Sequence, residues 1–487
     1  MTQRDRTAGT GVGDAILKYA PSRFVEPLLG FLAIPVLTRA LGASTYGDLS
    51  VVLLTAGLLR TLGFDWINNC ALRFRTPMGD ELDRFYSNQL VGLIAASCVT
   101  ALLVAGGGDL LPERVRTAVG ALLVWTLVDA VVSAFAYSGE MVLRAEHRPV
   151  AFTVSRTLQG VSRHVLGVGG LLLVSRDIPT YFMFRIGGLA LVALWSWTLL
   201  GAWRHVRWKG VSVDVLGRYL VFGAPLAVAL LATSLRVAGN RYVVMSLTGS
   251  ESTGLFSAAV NIGGAPLVIF QQIVMLGLYP LAIDAWEAGE DYRPIVRDGL
   301  RWFMLGGLPA LTGLALLARP VLAVVAGPEY AAAWPALSLV AGGMFLYGLS
   351  QYFSLKFIVA KRTAVMAAVG LSAAAVNIGL SLYLVPRHGY LSAAYSTLVA
   401  NAVMLAASMI WGIRPERVVL PLRTAWRSVL AAAAMAFVLG GLMRVLTIDD
   451  APRLALAVLI GAGTYFLVIW RTGEIDVELR EAGRWSA

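Results

Sequence analysis

The chain has 487 residues, of which 57% are hydrophobic and only 14% are charged, and its mean hydropathy is +0.71. A soluble globular protein is about 45–50% apolar and about 25% charged, so this composition excludes a soluble enzyme, a nucleic-acid-binding protein and a disordered scaffold. The net charge of +11 fits a membrane protein, because cytoplasmic loops carry an excess of Lys and Arg. We therefore predict a polytopic integral membrane protein.

Apolar stretches long enough to span a bilayer recur along the whole chain, and they predict an all-α fold of about 14 transmembrane helices. The polar segment Met1–Lys18 precedes an apolar stretch that Arg23 and Glu26 interrupt. This is a poor signal-peptide core, so we expect no cleavage. In chain order, the predicted spans lie near residues 15–38, 48–71, 86–106, 117–138, 151–174, 180–202, 219–247, 253–281, 302–326, 336–358, 364–385, 391–412, 425–446 and 453–470.

The first span is the least regular, because Pro21, Pro27 and Pro35 interrupt it. We predict that this helix is kinked or partly unwound, which membranes tolerate where the backbone lines a cavity. If it did not cross the bilayer, the chain would have one span fewer.

The basic residues outside the spans orient the chain. Most of them fall in alternate loops and in the two terminal segments, which places both termini in the cytoplasm and the protein in the cytoplasmic (inner) membrane. No predicted loop is long enough for a soluble catalytic domain, so the function must lie within the helix bundle or at its mouths. Cys70 and Cys98 lie in or beside apolar stretches and are interpreted as packed thiols, not as a disulfide or a metal site.

An internal repeat indicates two related halves. Gly42–Ser50 and Gly249–Ser257 share the pattern G-x4-G-x2-S, each at an outer loop that leads into a helix. A second pair of similar segments, 145–148 and 360–362, follows the fourth and tenth spans. Because six spans separate the copies, the repeats have the same orientation, and a substrate cavity is expected between them. The predicted domains are an N-terminal lobe of spans 1–6, a C-terminal lobe of spans 7–12, and spans 13–14 with a cytoplasmic tail, at residues 1–210, 211–415 and 416–487.

The stretch Ile34–Gly47 resembles the opening of the polysaccharide (oligosaccharide) flippases, the Wzx-type members of the multidrug/oligosaccharidyl-lipid/polysaccharide exporter superfamily. Further similar segments run along the whole chain: Gly223–Pro225, Asn240–Arg241, Gly254–Ala259, Gly327–Tyr330, Val385–Gly389 and Ala393–Ala394. The resemblance implies a MATE-like fold. Where the family often has Asp-Arg, this chain has Asn240-Arg241, so a coupling role for that Asp cannot be transferred. It also has Ser392 where the family often has Gly.

Charges inside the predicted spans are the candidate site residues, because a charge at the bilayer centre is costly and usually faces a wet cavity or a partner. The basic ones are all arginines, whose planar guanidinium suits bidentate phosphate contacts. These candidate substrate-binding residues are Arg23, Arg60, Arg163, Arg185, Arg236 and Arg241. The candidate coupling groups or cavity partners are Glu26, Asp65, Asp129 and Asn240. If all of them face one cavity, that cavity is net cationic.

Several of these residues have a second interpretation. Arg60 and Asp65 could form an ion pair that stabilises the fold as well as one that lines the cavity. Arg185 could instead contact the outer lipid headgroups. Arg241 fits a helix-end anchor. Asp129 fits either a protonatable coupling group or the partner of an arginine on another helix, and we favour the partner.

Helical spacing gives further expectations. Arg23 and Glu26 can pair directly, and Gln159 shares a face with Arg163. His164, which follows Arg163, is expected to be a packed histidine and not a proton relay.

The chain contains no nucleotide-binding, metalloprotease or serine-hydrolase motif, so we expect no enzyme activity, no cofactor and no metal. The resemblance implies a flippase that moves a polyprenyl-(pyro)phosphate-linked oligosaccharide to the outer leaflet for surface polysaccharide such as O-antigen. Its partners would be that glycan, membrane lipids and the glycosyltransferases or polymerase of the same pathway, with no nucleic acid.

The alternatives are a multidrug or cation exporter of the same superfamily, a membrane polysaccharide polymerase, and a flippase for peptidoglycan precursors. Excess arginine weighs against a cationic substrate, and the short outer loops weigh against a polymerase. Proton coupling, sodium coupling and a substrate gradient are all compatible with the sequence.

Overall fold

A computed structural model describes residues 3–79, 81–107, 112–410, 420–445 and 450–474, without the side chains of residues 3–24, 228–229, 232–233, 236–237, 363 and 450. In these ranges the chain is almost entirely helical and contains no strand. It divides into two compact units, residues 1–254 and 255–487. The predicted domain boundaries at 210 and 415 stay a prediction.

The first unit contains nine helices and the start of a tenth in the described part of the chain. They are α1 Gln3–Arg60, α2 Trp66–Phe74, α3 Leu82–Gly107, α4 Glu113–Gly120, α5 Leu123–Ala145, α6 Pro149–Gly160, α7 Gly167–Leu173, α8 Ile178–Leu199, α9 Val213–Thr248 and the beginning of α10 Ser250–Glu287. The second unit contains the rest of α10, α11 Arg293–Leu316, α12 Ala318–Val325, α13 Trp334–Val359, α14 Thr363–His388, α15 Leu391–Ile410, α16 Leu422–Val445 and α17 Asp450–Arg471.

Within the described residues, 11 helical segments are long and apolar enough to cross a membrane. The prediction of an all-α polytopic membrane protein is therefore confirmed, whereas the number of about 14 spans stays a prediction. The difference has identifiable causes. The first two predicted spans form one segment, Val25–Phe74, the fifth is divided between α6 and α7 by a π-helical turn, and the seventh lies in α9, where some side chains are not described.

The backbone of α1 is helical through Pro21, Pro27 and Pro35, so the helix is not unwound there, and the predicted kink at these prolines stays a prediction. A proline inside a helix removes one hydrogen bond, and the rest of the ladder can continue around it. The helix is interrupted instead at Gly42, whose φ of 72° and ψ of 169° are non-helical. Gly42 supplies a conformation that other residues adopt only with strain.

Both predicted repeat pairs are also repeats of backbone structure. At the turns of the glycine motif, Gly249 has φ 88° and ψ −175°, close to the values at Gly42. At the second pair of turns, His147 has φ 54° and Lys361 has φ 56°. In each turn of this second pair the next residue, Arg148 or Arg362, donates its N–H to the carbonyl five residues earlier, which is the Schellman pattern that ends a helix. The two short sequence similarities therefore mark equivalent points of two copies.

The two copies of the glycine motif pack against each other reciprocally within the first unit. A Cβ on Gly47 would lie 2.0 Å from the carbonyl oxygen of Ser250. A Cβ on Gly254 would lie 1.8 Å from the carbonyl oxygen of Ala43. Real Cβ atoms cannot occupy either position, so glycine is what lets α1 and α10 approach to backbone contact here.

Each unit has its own apolar core. In the first unit, buried aromatic side chains of α3, α6, α8 and α9 share one cluster that includes Phe85, Trp197 and Tyr219. In the second unit, Phe303 packs on two rings of α13, with ring centroids 5.4 and 5.5 Å apart. A further buried cluster joins α16 and α17 to the end of α11, so these last helices are packed parts of the second unit.

Candidate functional site

Two π-helical turns carry charged residues of the first unit. One, Thr61–Asp65, separates α1 from α2, and the other, Val161–Leu166, separates α6 from α7. A π-helical turn accommodates an extra residue in an otherwise α-helical ladder and is frequent at functional sites. Asp65 ends the first turn and Arg163 lies in the second. The sequence pattern gives no sign of either turn, because one additional residue leaves the apolar stretch unbroken.

Five side chains form a closed ring, and Glu140 of α5 is its most buried charged member. Glu140 Oε1 accepts a hydrogen bond from Arg156 Nη1 at 3.1 Å, and Oε2 accepts one from Gln159 Nε2 at 2.9 Å. Arg156 Nη2 also lies 3.7 Å from Glu26 Oε2. Arg163 closes the ring, since it donates Nη1 to Glu26 Oε1 and Nη2, at 3.3 Å, to Gln159 Oε1. We call this set the charge ring.

Helical spacing explains why three ring members meet. Arg156, Gln159 and Arg163 are separated by three and four residues, so they project from one side of α6 and the π-helical turn. Gly160 on the same helix faces α1, and a Cβ there would lie 3.3 Å from the Cα of Glu26. The absence of a side chain at Gly160 thus brings α1 close enough for Glu26 to reach both arginines.

Exposure differs across the ring. The side chain of Glu140 is 3% exposed, whereas those of Arg163, Glu26 and Arg156 are 17%, 22% and 32% exposed. Two guanidinium and two carboxylate groups balance, so the charge ring is neutral as a whole. An approaching molecule would meet the arginines and Glu26 first, with Glu140 behind them.

A second buried ion pair lies beside the charge ring. Arg185 of α8 donates Nε to Asp129 Oδ1 at 2.6 Å and Nη2 to Oδ2 at 3.2 Å. The two side chains are 11% and 3% exposed. The preferred interpretation of Asp129, as the partner of an arginine on another helix, agrees with this geometry. Because Asp129 holds its guanidinium, Arg185 does not extend to the outer headgroups.

Arg60 and Asp65 also form an ion pair, which spans the first π-helical turn. Residues five apart do not share a face of an α-helix, but the wider π-helical turn brings them together. The guanidinium of Arg60 lies 5.3 Å from the ring centroid of Tyr137, a cation–π distance. The two charges of this pair neutralise each other, so a role in stabilising the fold describes the pair best.

The remaining candidates lie elsewhere or outside the described side chains. Asn240 and Arg241 of α9 are buried, with exposures of 5% and 7%. The side chains of Arg23 and Arg236 lie outside the described residues, so their predicted roles stay predictions. His164 packs against α1 at Gly30, where a Cβ would lie 3.2 Å from its Cε1, which agrees with a packed histidine.

The structure brings together residues that the sequence analysis had separated. Glu140 was assigned to an inner loop because the fourth span was predicted to end at 138, whereas α5 continues to Ala145. Arg156 lies near the start of the predicted span 151–174 and was not among the candidate residues. The apolar residues Met141–Leu143, which follow Glu140, were the available signal that the helix continues. Arg60, Arg163 and Arg185 each face a carboxylate, so the predicted cationic excess is absent from the described part of the site.

The family model of the polysaccharide biosynthesis protein family matches residues 15–286. The chain belongs to this family. The charge ring and the Asp129–Arg185 pair both lie in the matched part of the chain. A search of curated protein sequences gave no significant match.

Solved structures of membrane transporters and flippases are similar to this chain in fold. The lipid II flippase MurJ in an inward closed conformation has a TM-score of 0.79 at 14% identity, over 94% of this chain and 99% of that chain. An inward-facing multidrug resistance MATE transporter has a TM-score of 0.61 at 14% identity, over 80% of this chain and 92% of that chain. A transporter of the superfamily from Pyrococcus furiosus has a TM-score of 0.51 at 13% identity, over 82% and 94% respectively. These similarities confirm the MATE-like fold of an integral membrane protein.

Proposed function

We propose that the protein is a flippase that moves a polyprenyl-(pyro)phosphate-linked oligosaccharide from the cytoplasmic to the outer leaflet for surface polysaccharide biosynthesis. The observation that carries the proposal is the charge ring, which holds Arg156 and Arg163 partly exposed among membrane helices. Guanidinium groups bind phosphate oxygens through paired hydrogen bonds. Membership in the polysaccharide biosynthesis family supports the glycan part of the substrate.

The proposed mechanism is alternating access. The phosphate and sugars would cross through the polar interior while the polyprenyl chain stays in the bilayer. Arg156 and Arg163 would bind the phosphate, together with Arg23 and Arg236 if their side chains face the same space. Because Glu26 and Glu140 balance the arginines, the empty carrier need not hold uncompensated charge in the membrane.

The protein would lie in the cytoplasmic membrane with both termini in the cytoplasm, and it would catalyse no covalent step. Glycosyltransferases would supply the loaded lipid, and a polymerase or ligase would consume it outside. A cation exporter is less well supported, because the carboxylates of the described site are matched by arginines.

A second candidate is export of a peptidoglycan precursor. It is favoured by the similarity to the lipid II flippase MurJ, which extends over 99% of that chain. Both candidate cargoes require a site for an anionic headgroup, so the charge ring suits either one. Depletion of the protein distinguishes them, because loss of peptidoglycan export causes lysis, whereas loss of surface polysaccharide alone leaves growing cells.

The test is complementation of a deletion strain, with surface polysaccharide as the readout. We expect Arg163→Ala combined with Arg156→Ala to reduce export by at least about tenfold, since a lost charged contact costs about 1.5–3 kcal/mol. Arg218→Ala is the matched control, because Arg218 is 52% exposed and pairs with Asp214, which is 69% exposed. Normal export by the double variant at normal protein level would contradict the proposal.

A further inference from the structure

The charge ring has only as many positive groups as negative ones, and its members share partners. Arg156 contacts both Glu26 and Glu140, while Arg163 contacts Glu26 and Gln159. If Arg163 left, Arg156 would be the one ring arginine still facing both carboxylates. The ring is therefore balanced only while both arginines face the carboxylates.

An anion that binds at the exposed side competes for the same donors. Arg163 has five N–H donors in one plane, and it donates one from Nη1 to Glu26 and one from Nη2 to Gln159, so a phosphate bound across Nη1 and Nη2 competes with both partners. When phosphate oxygens take these donors, Glu26 and Glu140 are left to share Arg156. Two carboxylates that share one cation in a partly buried site do not both stay ionised, because like charges at close range favour protonation of one of them.

We propose that binding of the anionic headgroup at Arg163 is accompanied by uptake of one proton by the Glu26–Glu140 pair. The inference rests on the proposed function, and it adds a proton-binding site to the phosphate-binding one. No bond other than that to the proton changes: a proton from solvent joins a carboxylate oxygen, and it leaves when the headgroup departs and Arg163 returns to Glu26. The loaded carrier thus holds one negative charge fewer than the headgroup alone would bring.

Among the described side chains, the surrounding charges do not replace the lost counterion. On α6 and the π-helical turn, the facing groups are Arg156, Gln159, Arg163 and His164. The other described groups near the pair are already engaged with each other: Arg60 with Asp65 beside Tyr137, and Arg185 with Asp129. On α1, Arg23 lies three residues before Glu26, and its side chain is outside the described residues. His164 is the competing titratable group, so the test includes it.

The test is calorimetry of the full-length protein in detergent, titrated with undecaprenyl monophosphate at one pH in two buffers that differ in ionisation enthalpy. The difference in heat gives the number of protons taken up per molecule bound. The probe's own phosphate also titrates near pH 6, so uptake is read as native protein minus Glu140→Gln. We expect this difference to be close to one proton, and we expect His164→Asn to behave as the native protein does.

A second measurement needs no variant of the ring. Since the complex would hold more protons than its free components, affinity must rise as pH falls, by up to about tenfold per pH unit for one proton. Methyl phosphate esters of the same lipid, which do not titrate near neutral pH, isolate the contribution of the protein. The pH dependence of diester binding therefore tests the proposed proton uptake even if Glu140→Gln fails to fold.

Three results would overturn the inference: binding without buffer-dependent heat, an affinity for the diester that is independent of pH, or loss of proton uptake in His164→Asn with normal uptake in Glu140→Gln. Failure of the native protein to bind either lipid would instead contradict the proposed function. The two failures are therefore distinguishable.

Discussion

At the scale of single residues, buried charges are the costliest feature of this molecule, and each described in-span charge of the first unit has a partner within reach. Asp129 and Arg185 are the most enclosed pair, with side chains 3% and 11% exposed. The sequence predicted that such residues need partners, because charges are rare inside membranes. It could not predict which arginine pairs with which acid, since that depends on how helices distant in the chain pack.

The Asp129–Arg185 pair predicts a non-additive pattern of stability. We expect Arg185→Leu to lower the stability of the folded protein by about 3–5 kcal/mol, because it leaves a buried carboxylate without its counterion. The double variant Asp129→Leu with Arg185→Leu should be less destabilised than Arg185→Leu alone. Thermal unfolding in detergent measures both, with Arg218→Leu as the exposed control. Additive losses would show that the two side chains do not interact.

A third buried cluster, in the second unit, involves Glu474, which follows α17. It accepts hydrogen bonds from Thr424, from Arg427 and, at 2.9 Å, from Arg301 Nε. Burial raises the pKa of Glu474, but the hydrogen bonds from Thr424 and Arg427 and the charges of Arg301 and Arg427 outweigh it, so the pKa lies below its ordinary value. The carboxylate therefore anchors the chain after α17 to α11 and α16.

This lowered pKa predicts a pH-dependent stability. The contribution of Glu474 is present in full above the ordinary glutamate pKa of about 4.3 and is lost as pH falls through the lower folded value. We expect Glu474→Gln to unfold at a lower temperature than the native protein at pH 7, with the gap narrowing as the pH approaches 4. Unfolding midpoints in detergent across this range measure the effect, and a gap that widens toward acid would contradict the assignment.

At the scale of elements, the position of a helix break and the approach of two helices both depend on glycine. The sequence predicted a repeat from G-x4-G-x2-S, and the equivalent backbone at Gly42 and Gly249 agrees with it. Sequence spacing could not predict that the two copies touch each other, because a repeat specifies similar structures and not their contact. The π-helical turns could not be predicted either, because one extra residue in a helical turn does not change the hydropathy of the segment.

The reciprocal glycine contact predicts opposite effects for two alanine substitutions in the same helix. Gly47→Ala would place a Cβ 2.0 Å from a carbonyl oxygen, so we expect a loss of about 1–3 kcal/mol in stability. Gly57→Ala has no atom within 4 Å of the new Cβ, and it should be neutral or stabilising by up to about 1 kcal/mol. Unfolding midpoints compare the two.

Gly254→Ala and Gly277→Ala on α10 form an equivalent pair, because a Cβ at Gly277 also meets nothing within 4 Å. If all four variants unfolded at the same temperature, the backbone contact would not contribute to stability.

At the scale of the whole molecule, composition and hydropathy sufficed to predict the membrane fold, and short motifs sufficed to predict the family. Both follow from features that every part of the chain repeats: long apolar helices and turn residues at fixed offsets. The charge ring could not be predicted in the same way, because Glu140 and Arg156 lie near the predicted edge of the membrane. At that depth, the sequence around a charged residue of a loop looks the same as the sequence around a charged residue of the site. Only the continuation of α5 to Ala145 distinguishes them.

The predicted orientation can be checked by cysteine labelling. After Cys70 and Cys98 are replaced by Ser, we expect Ser175→Cys to react with a membrane-impermeant thiol reagent in intact cells, because the loop before α8 is predicted to lie outside. Arg148→Cys, at the turn after α5, should react only after permeabilisation. The reverse pattern would invert the topology and with it the proposed direction of transport.

The π-helical turn Val161–Leu166 means that the site depends on chain length as well as on residue type. Deleting Ser162 would restore an unbroken α-helix and remove no charge, yet Arg163 would then lie six residues after Arg156 instead of seven, which is about 100° further round an α-helix from the side of Arg156. Deleting Val165 would straighten the same helix while leaving Arg163 on their side. Relatives of this protein that differ by one residue in this turn could keep every arginine and still hold it out of reach of Glu26.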